Sequence, residues 1–122
     1  MAQPRKAIIL LAHGSRDPLW HRPLEAVATR LRARQPEVPV RCAYLELEQP
    51  DLAAAAAQVV QPGLAELTIV PMFLGTGKHA REDLPGMVDA LRRLYPRLAI
   101  TLRPPVGEDA RLLDLLATIA LE

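Results

Sequence analysis

The sequence predicts an α/β fold, a three-layer sandwich with a four-stranded parallel sheet wound in the flavodoxin-like, doubly wound manner. Three observations carry that prediction. Short apolar runs alternate with segments of helical periodicity in the order βαβαβαβα, the repeat of a parallel sheet covered on both faces. The first run, Ala7–Ala12, is continuously apolar, as a strand buried on both sides must be. The breaks between runs coincide with proline and glycine, so the 12 prolines punctuate segments rather than disorder them.

Taken in order, Ala7–Ala12 is the first strand. From Leu24, the residues Leu24, Val27, Ala28 and Leu31 repeat at helical spacing. Asp17-Pro18 is a cap-and-first-turn pair ahead of them, and Pro36 to Pro39 closes the helix. Val40–Leu45 reads as the second strand. Pro50-Asp51 opens a helix with Leu52, Ala56, Val59 and Val60 on one face, and Pro62-Gly63 stops it. Leu67–Leu74 is the third strand. A helix follows with Leu84, Met87, Val88, Leu91 and Leu94 inward and Pro85 in its first turn. Leu98–Leu102 is the fourth strand, and Leu112–Leu121 a closing helix capped by Asp109. Residues 1–122 are expected to form one domain, long enough for a hydrophobic core.

Composition excludes several classes of function. Aromatic residues make up 3% of the chain and the formal net charge is +1, which argues against a base-stacking platform or a basic nucleic-acid face. The longest apolar stretch is far too short to span a bilayer. The charged start, Met1 to Lys6, has no Ala-x-Ala-type cleavage site after it and is not read as a signal peptide. One cysteine, Cys42, rules out an internal disulfide and fits a cytoplasmic setting. As part of a strand, it reads as a buried small apolar residue.

The chemistry gathers where strands end. In a parallel α/β fold the strand ends form one rim, the place where such folds bind ligands. His13 follows the first strand, Glu46 the second and His79 the third, each 33 residues from the next, about one strand-plus-helix unit. A lone histidine after a strand is more often a hydrogen-bonded loop residue. Three successive strands delivering ligand-type side chains to one edge is a stronger coincidence. Two imidazoles and a carboxylate suit a first-row divalent ion such as Co²⁺, Fe²⁺, Ni²⁺ or Zn²⁺ and leave its coordination open. The same trio suits proton abstraction, since histidine titrates near neutrality. Arg16, Arg22, Lys78 and Arg81 stand nearby and would attract a polyanion, although Asp17, Glu82 and Asp83 alongside them fit an ordinary solvated loop. His21 is assigned no role, and Trp20 is expected to pack on the core.

Two motifs fail on inspection. Gly75-Thr-Gly-Lys78 resembles a phosphate loop, but Met72 stands at the first glycine position and His79 replaces the Ser/Thr after the lysine. His13-Gly14 resembles the Arg-His-Gly of histidine phosphatases, but Ala12 precedes it. Ser15 also lacks the Gly-x-Ser-x-Gly frame of a hydrolase elbow.

Ala12-His-Gly-Ser-Arg-Asp-Pro18, Ala43-Tyr-Leu-Glu46 with Pro50, Val70-Pro-Met-Phe-Leu74 and Gly77-Lys-His-Ala-Arg-Glu-Asp-Leu-Pro85 together resemble the class II, ATP-independent chelatases. The likeness is to the small sirohydrochlorin cobaltochelatase type, with its iron- and nickel-inserting relatives, and runs on through Pro105-Val-Gly-Glu108. It implies a chelatase-like sandwich and a lyase that inserts Co²⁺, or else Fe²⁺ or Ni²⁺, into a sirohydrochlorin-type tetrapyrrole of cobalamin or sirohaem biosynthesis. The metal is then a substrate, and no permanent cofactor is expected. The resemblance implies that His13 and His79 are the paired metal-binding histidines, one of them (here His13) also the proton acceptor, with Glu46 assisting. Arg16, Lys78 and Arg81 are expected to meet the tetrapyrrole carboxylates. It further implies a homodimer, with no nucleic-acid or membrane partner. A metal-dependent hydrolase or lyase, or a non-catalytic metal or tetrapyrrole carrier, remains the alternative.

Overall fold

The sheet is built outward from β1 (Lys6–Ala12), the strand buried on both faces, in the order β2–β1–β3–β4 with every pair parallel. β2 is Val40–Tyr44, β3 Glu66–Pro71 and β4 Ala99–Leu102. The computed structural model describes residues 4–122, so the first three residues of the charged start lie outside the described residues. Registers pair Leu10 with Cys42, Ile9 with Ile69 and Leu67 with Ile100. The helices are α1 (Arg22–Arg34), α2 (Leu52–Val59), α3 (Lys78–Leu94) and α4 (Ala110–Leu121).

Alternate residues of each strand feed opposite faces. Ala7, Ile9, Leu11, Leu67, Ile69 and Ile100 point to α2 and α3, meeting Leu52, Ala56 and Val59 of α2 and Leu84, Val88 and Leu91 of α3. Leu10, Ala12, Val40, Cys42 and Tyr44 point to the other face and meet Leu24 and Ala28 of α1. Burying one such leucine or isoleucine stabilises the fold by roughly 1.5–3 kcal/mol.

Several boundaries differ from expectation, each for a local reason. Asp17 caps a 3-10 turn over Pro18–His21, accepting from Leu19 N at 2.9 Å, and α1 starts only at Arg22 with Pro23 harmlessly in its first turn. α3 begins at Lys78, so Pro85 lies in its interior and not in its first turn. The apolar stripe that betrays this helix starts at Leu84, which hid the polar turns before it. Leu94 is 65% exposed rather than inward. The stripe Leu84–Val88–Leu91 continues to Tyr95, which packs on the core in its place. β3 ends at Pro71, three residues short of the expected Leu74, after which Met72 N makes one more bond to Leu11 O (2.8 Å) before the chain turns away.

The closing helix departs furthest. Asp109 caps α4 through Arg111 N (2.9 Å) as expected, but none of its residues is buried. The α1 face of the sheet is therefore covered over β2 and β1, and bare over β3 and β4.

Candidate metal centre on the sheet rim

Order β2–β1–β3 makes the chain leave β1 for one face and β3 for the other, opening a crevice at the carboxyl ends of these strands. A cavity of about 420 Å³ lies there, lined by His13, Glu46, Lys78, His79, Asp83 and Met87 among others. The three residues expected from their spacing thus share one cavity. His79 differs from expectation only in its carrier, because it sits in the first turn of α3 and not on a loop.

Backbone contacts fix the β1–β2 side. Leu45 N bonds to Ala12 O at 2.9 Å and Glu46 N to His13 O at 3.0 Å, extending strand pairing into the site. Gly14 adopts φ +110°, and a Cβ there would lie 1.8 Å from the carbonyl oxygen of Glu46. Only glycine allows this approach. The half-buried His13 ring stacks on Phe73, with centroids 4.2 Å apart and planes inclined by 23°. Phe73 is 3% exposed, so an immobile apolar plate sets the imidazole plane.

A second polar cluster braces the same loops. Glu48 Oε1 accepts from Ser15 N at 3.3 Å and also meets Nε2 of His21, tying the loop after β1 to the loop after β2. His21 lies 5.1 Å from the ring of Tyr44, a residue whose hydroxyl burial pushes up to about 12. His21, given no role from the sequence, is thus part of this brace. Trp20, expected to pack on the core, is 41% exposed.

The α3 side is freer. His79 and Glu46 are exposed, and no hydrogen bond holds the His13 or His79 ring among the described residues. Also among the described residues, no three His, Cys, Asp or Glu side chains stand close enough to hold an ion. Asp83 lines the cavity one turn after His79, where the sequence predicts only a solvated loop charge. The i, i+4 spacing on α3 was the available signal.

Positive groups lie where α3 begins. Lys78 lines the cavity, and Arg81 lines a second one of about 440 Å³ that shares Ala80 and Leu84 with the first. The Arg81 guanidinium bonds to Thr76 O at 3.0 Å, and Arg16 is exposed in the His13 loop. Gly77 caps α3 without a side-chain bond, leaving backbone N–H groups open to an anion.

Comparison with known proteins agrees with this architecture. The CbiX family model matches residues 7–121. A sirohydrochlorin cobaltochelatase of Sulfolobus acidocaldarius is 27% identical over 109 residues, covering 89% of this chain and 85% of the relative. A sirohydrochlorin ferrochelatase of Priestia megaterium is 30% identical over 112 residues, but the chain spans only 41% of its length. Likewise, the chain spans 37% of a sirohydrochlorin cobaltochelatase from that organism. Among solved structures, a CbiX protein of Marinobacter aquaeolei, described as a putative cobalamin biosynthesis protein, superposes with TM-score 0.80 at 32% identity, covering 94% of this chain and 93% of its own. The sirohydrochlorin chelatase SirB of Bacillus subtilis, in complex with cobalt, gives TM-score 0.76 at 26% identity over 93% of this chain and 49% of its own. No helix among the described residues is long and apolar enough to cross a membrane.

Proposed function

The chain belongs to the CbiX family, and from that premise we propose that it inserts a divalent metal ion, Co²⁺ ahead of Fe²⁺ or Ni²⁺, into a sirohydrochlorin-type tetrapyrrole without ATP. One observation carries the reading: three successive βα units bring His13, Glu46 and His79 to a single cavity. In this reading the exposed Glu46 and His79 side chains turn toward His13 as the ion arrives, and the three bind it as substrate in an open coordination that lets it leave again. Lys78, Arg81, Arg16 and the open N-terminus of α3 meet the carboxylates of the macrocycle.

The reaction needs a base, not an energy source. Two pyrrole N–H protons leave as M²⁺ enters, so the charge of the macrocycle's nitrogen core balances; as the ion passes from His13 to the macrocycle the freed imidazole takes up these protons one at a time and hands each to solvent. A positioned base contributes roughly 10²–10⁴-fold. The macrocycle is larger than the cavity on this one rim, which supports a homodimer whose second copy supplies the opposite wall. A cytoplasmic setting fits the single buried thiol.

Visible absorbance tests the reading. With sirohydrochlorin and Co²⁺, the expected result is turnover above the spontaneous rate, reduced at least tenfold by His13→Ala. Stoichiometric spectral change without turnover would make the protein a carrier, and no spectral change would leave a hydrolase or lyase.

A further inference from the structure

An imidazole that binds a metal ion through one ring nitrogen carries a proton on the other. That N–H needs an acceptor, and the acceptor also fixes the plane of the ring. Phe73 sets the plane of His13, whereas no hydrogen bond does the same for His79 among the described residues. Two carboxylates line the cavity, Glu46 and Asp83. Glu46 comes from the β2 side and is assigned to the ion. Asp83 follows His79 by four residues on α3 and has no task yet.

α3 sets the two side chains next to each other. Residues four apart on a helix stand about 6 Å apart along its axis and only about 40° apart around it. Helical side chains also lean toward the N-terminus, which directs a carboxylate at position 83 back over the turn that carries His79. Both residues line the same cavity of about 420 Å³. Glu82 is as near in sequence but is not part of the cavity wall.

The ordinary role of an exposed helical aspartate is to pair with a cation one turn away, as Asp89 does with Arg92 at 3.0 Å on this same helix. Asp83 has no such cation. The positions three and four residues to either side of it are His79, Ala80, Gly86 and Met87, so His79 is its one polar neighbour at contact spacing along α3. Lys78, the one lysine or arginine lining the cavity, is five residues back and outside that spacing. No ion pair holds Asp83 among the described residues.

We propose that Asp83 is the positioning residue for His79: as His79 turns toward His13, the Asp83 carboxylate accepts one ring N–H and leaves the opposite ring nitrogen to the ion. The proposal rests on the reading of His79 as a metal-binding residue. Asp83 touches neither ion nor macrocycle. It acts through the imidazole, fixing its orientation and strengthening it as a donor.

Co²⁺ alone, titrated into the full chain and followed by calorimetry and by its visible bands, tests the assignment. Asp83→Ala is expected to weaken Co²⁺ binding about 10- to 100-fold. Alanine suits a helix interior, so circular dichroism should stay unchanged. Asp83→Asn keeps an oxygen acceptor in place and should lose less than Asp83→Ala. Glu82→Ala, off the cavity wall, is expected to bind Co²⁺ within about twofold of the parent. In a His79→Ala background, Asp83→Ala should cost nothing further, because the group it acts through is gone. A loss that persists there, an equal loss in Glu82→Ala, or Co²⁺ affinity untouched by Asp83→Ala would overturn the proposal, as would a parent chain that binds no Co²⁺. Sirohydrochlorin metallation is read in the same samples: Asp83-dependent Co²⁺ binding without turnover removes the chelatase reading alone, and turnover with a Co²⁺ affinity indifferent to Asp83 removes the positioning role alone.

Discussion

His13 and His79 are the same residue type at the same rim, yet the chain holds them differently. His13 is half-buried, stacked on Phe73 and carried by a loop whose Gly14 presses on the backbone of Glu46. His79 is exposed, on the first turn of α3, with an uncapped helix end beside it. One imidazole is fixed by stacking, and the other is exposed and held by no hydrogen bond among the described residues. In the proposed reading, a site that must bind an ion and then give it up gains from that asymmetry, since release by His79 opens coordination without disturbing His13.

The largest effect is expected at the backbone of the fixed side. Gly14→Ala forces a Cβ to within 1.8 Å of Glu46 O at φ +110° and is expected to cut kcat/KM about 100-fold, as misplacement by an ångström does. Gly86→Ala in α3 meets nothing within 4 Å and is the matched control, with unchanged activity and up to about 1 kcal/mol more stability by thermal melting. Equal losses in both would remove the argument for a built loop.

A smaller effect is expected where the brace is cut. Glu48→Gln weakens the tie from Ser15 N and His21 to the loop after β2. A loss of about 3- to 10-fold in kcat with KM nearly constant would mark it as positioning the site. A change in stability alone, with kcat intact, would make the brace purely structural.

The smallest effect concerns Cys42, on the α1 face and away from the rim. Burial, aided by Glu25, pushes its thiol up to about 12. The neutral thiol should resist alkylation at pH 8 until the protein unfolds. Because the folded value is raised above the ordinary 9.0, this group costs stability only above pH 9, where the unfolded thiol ionises and the folded one does not. Rapid labelling of the folded protein at pH 8 would contradict this.

Much of the fold was legible because burial writes periodicity into sequence. The run Ala7–Ala12 had to be a strand buried on both faces, and the 33-residue spacing placed three side chains at one rim. The polar start of α3 was not legible, since Lys78–Asp83 carries no apolar stripe, and with it went Pro85's position and the contribution of Asp83. Phe73 as the plate under His13 was also invisible, because stacking joins residues from different strands. So was the outward course of α4. Its apolar pattern announces burial, whereas none of its residues is buried in this chain. Sequence pattern fixes which face is apolar, whereas partners remote in the chain are decided by geometry.

Whether His13 and His79 act on one ion is decided by a double-mutant cycle on metal insertion. His13→Ala and His79→Ala should each remove most of kcat/KM, and the double variant should be scarcely worse than either single, as residues acting as a unit behave. Losses that simply multiply, or a double variant working at the parent rate, would contradict the shared site.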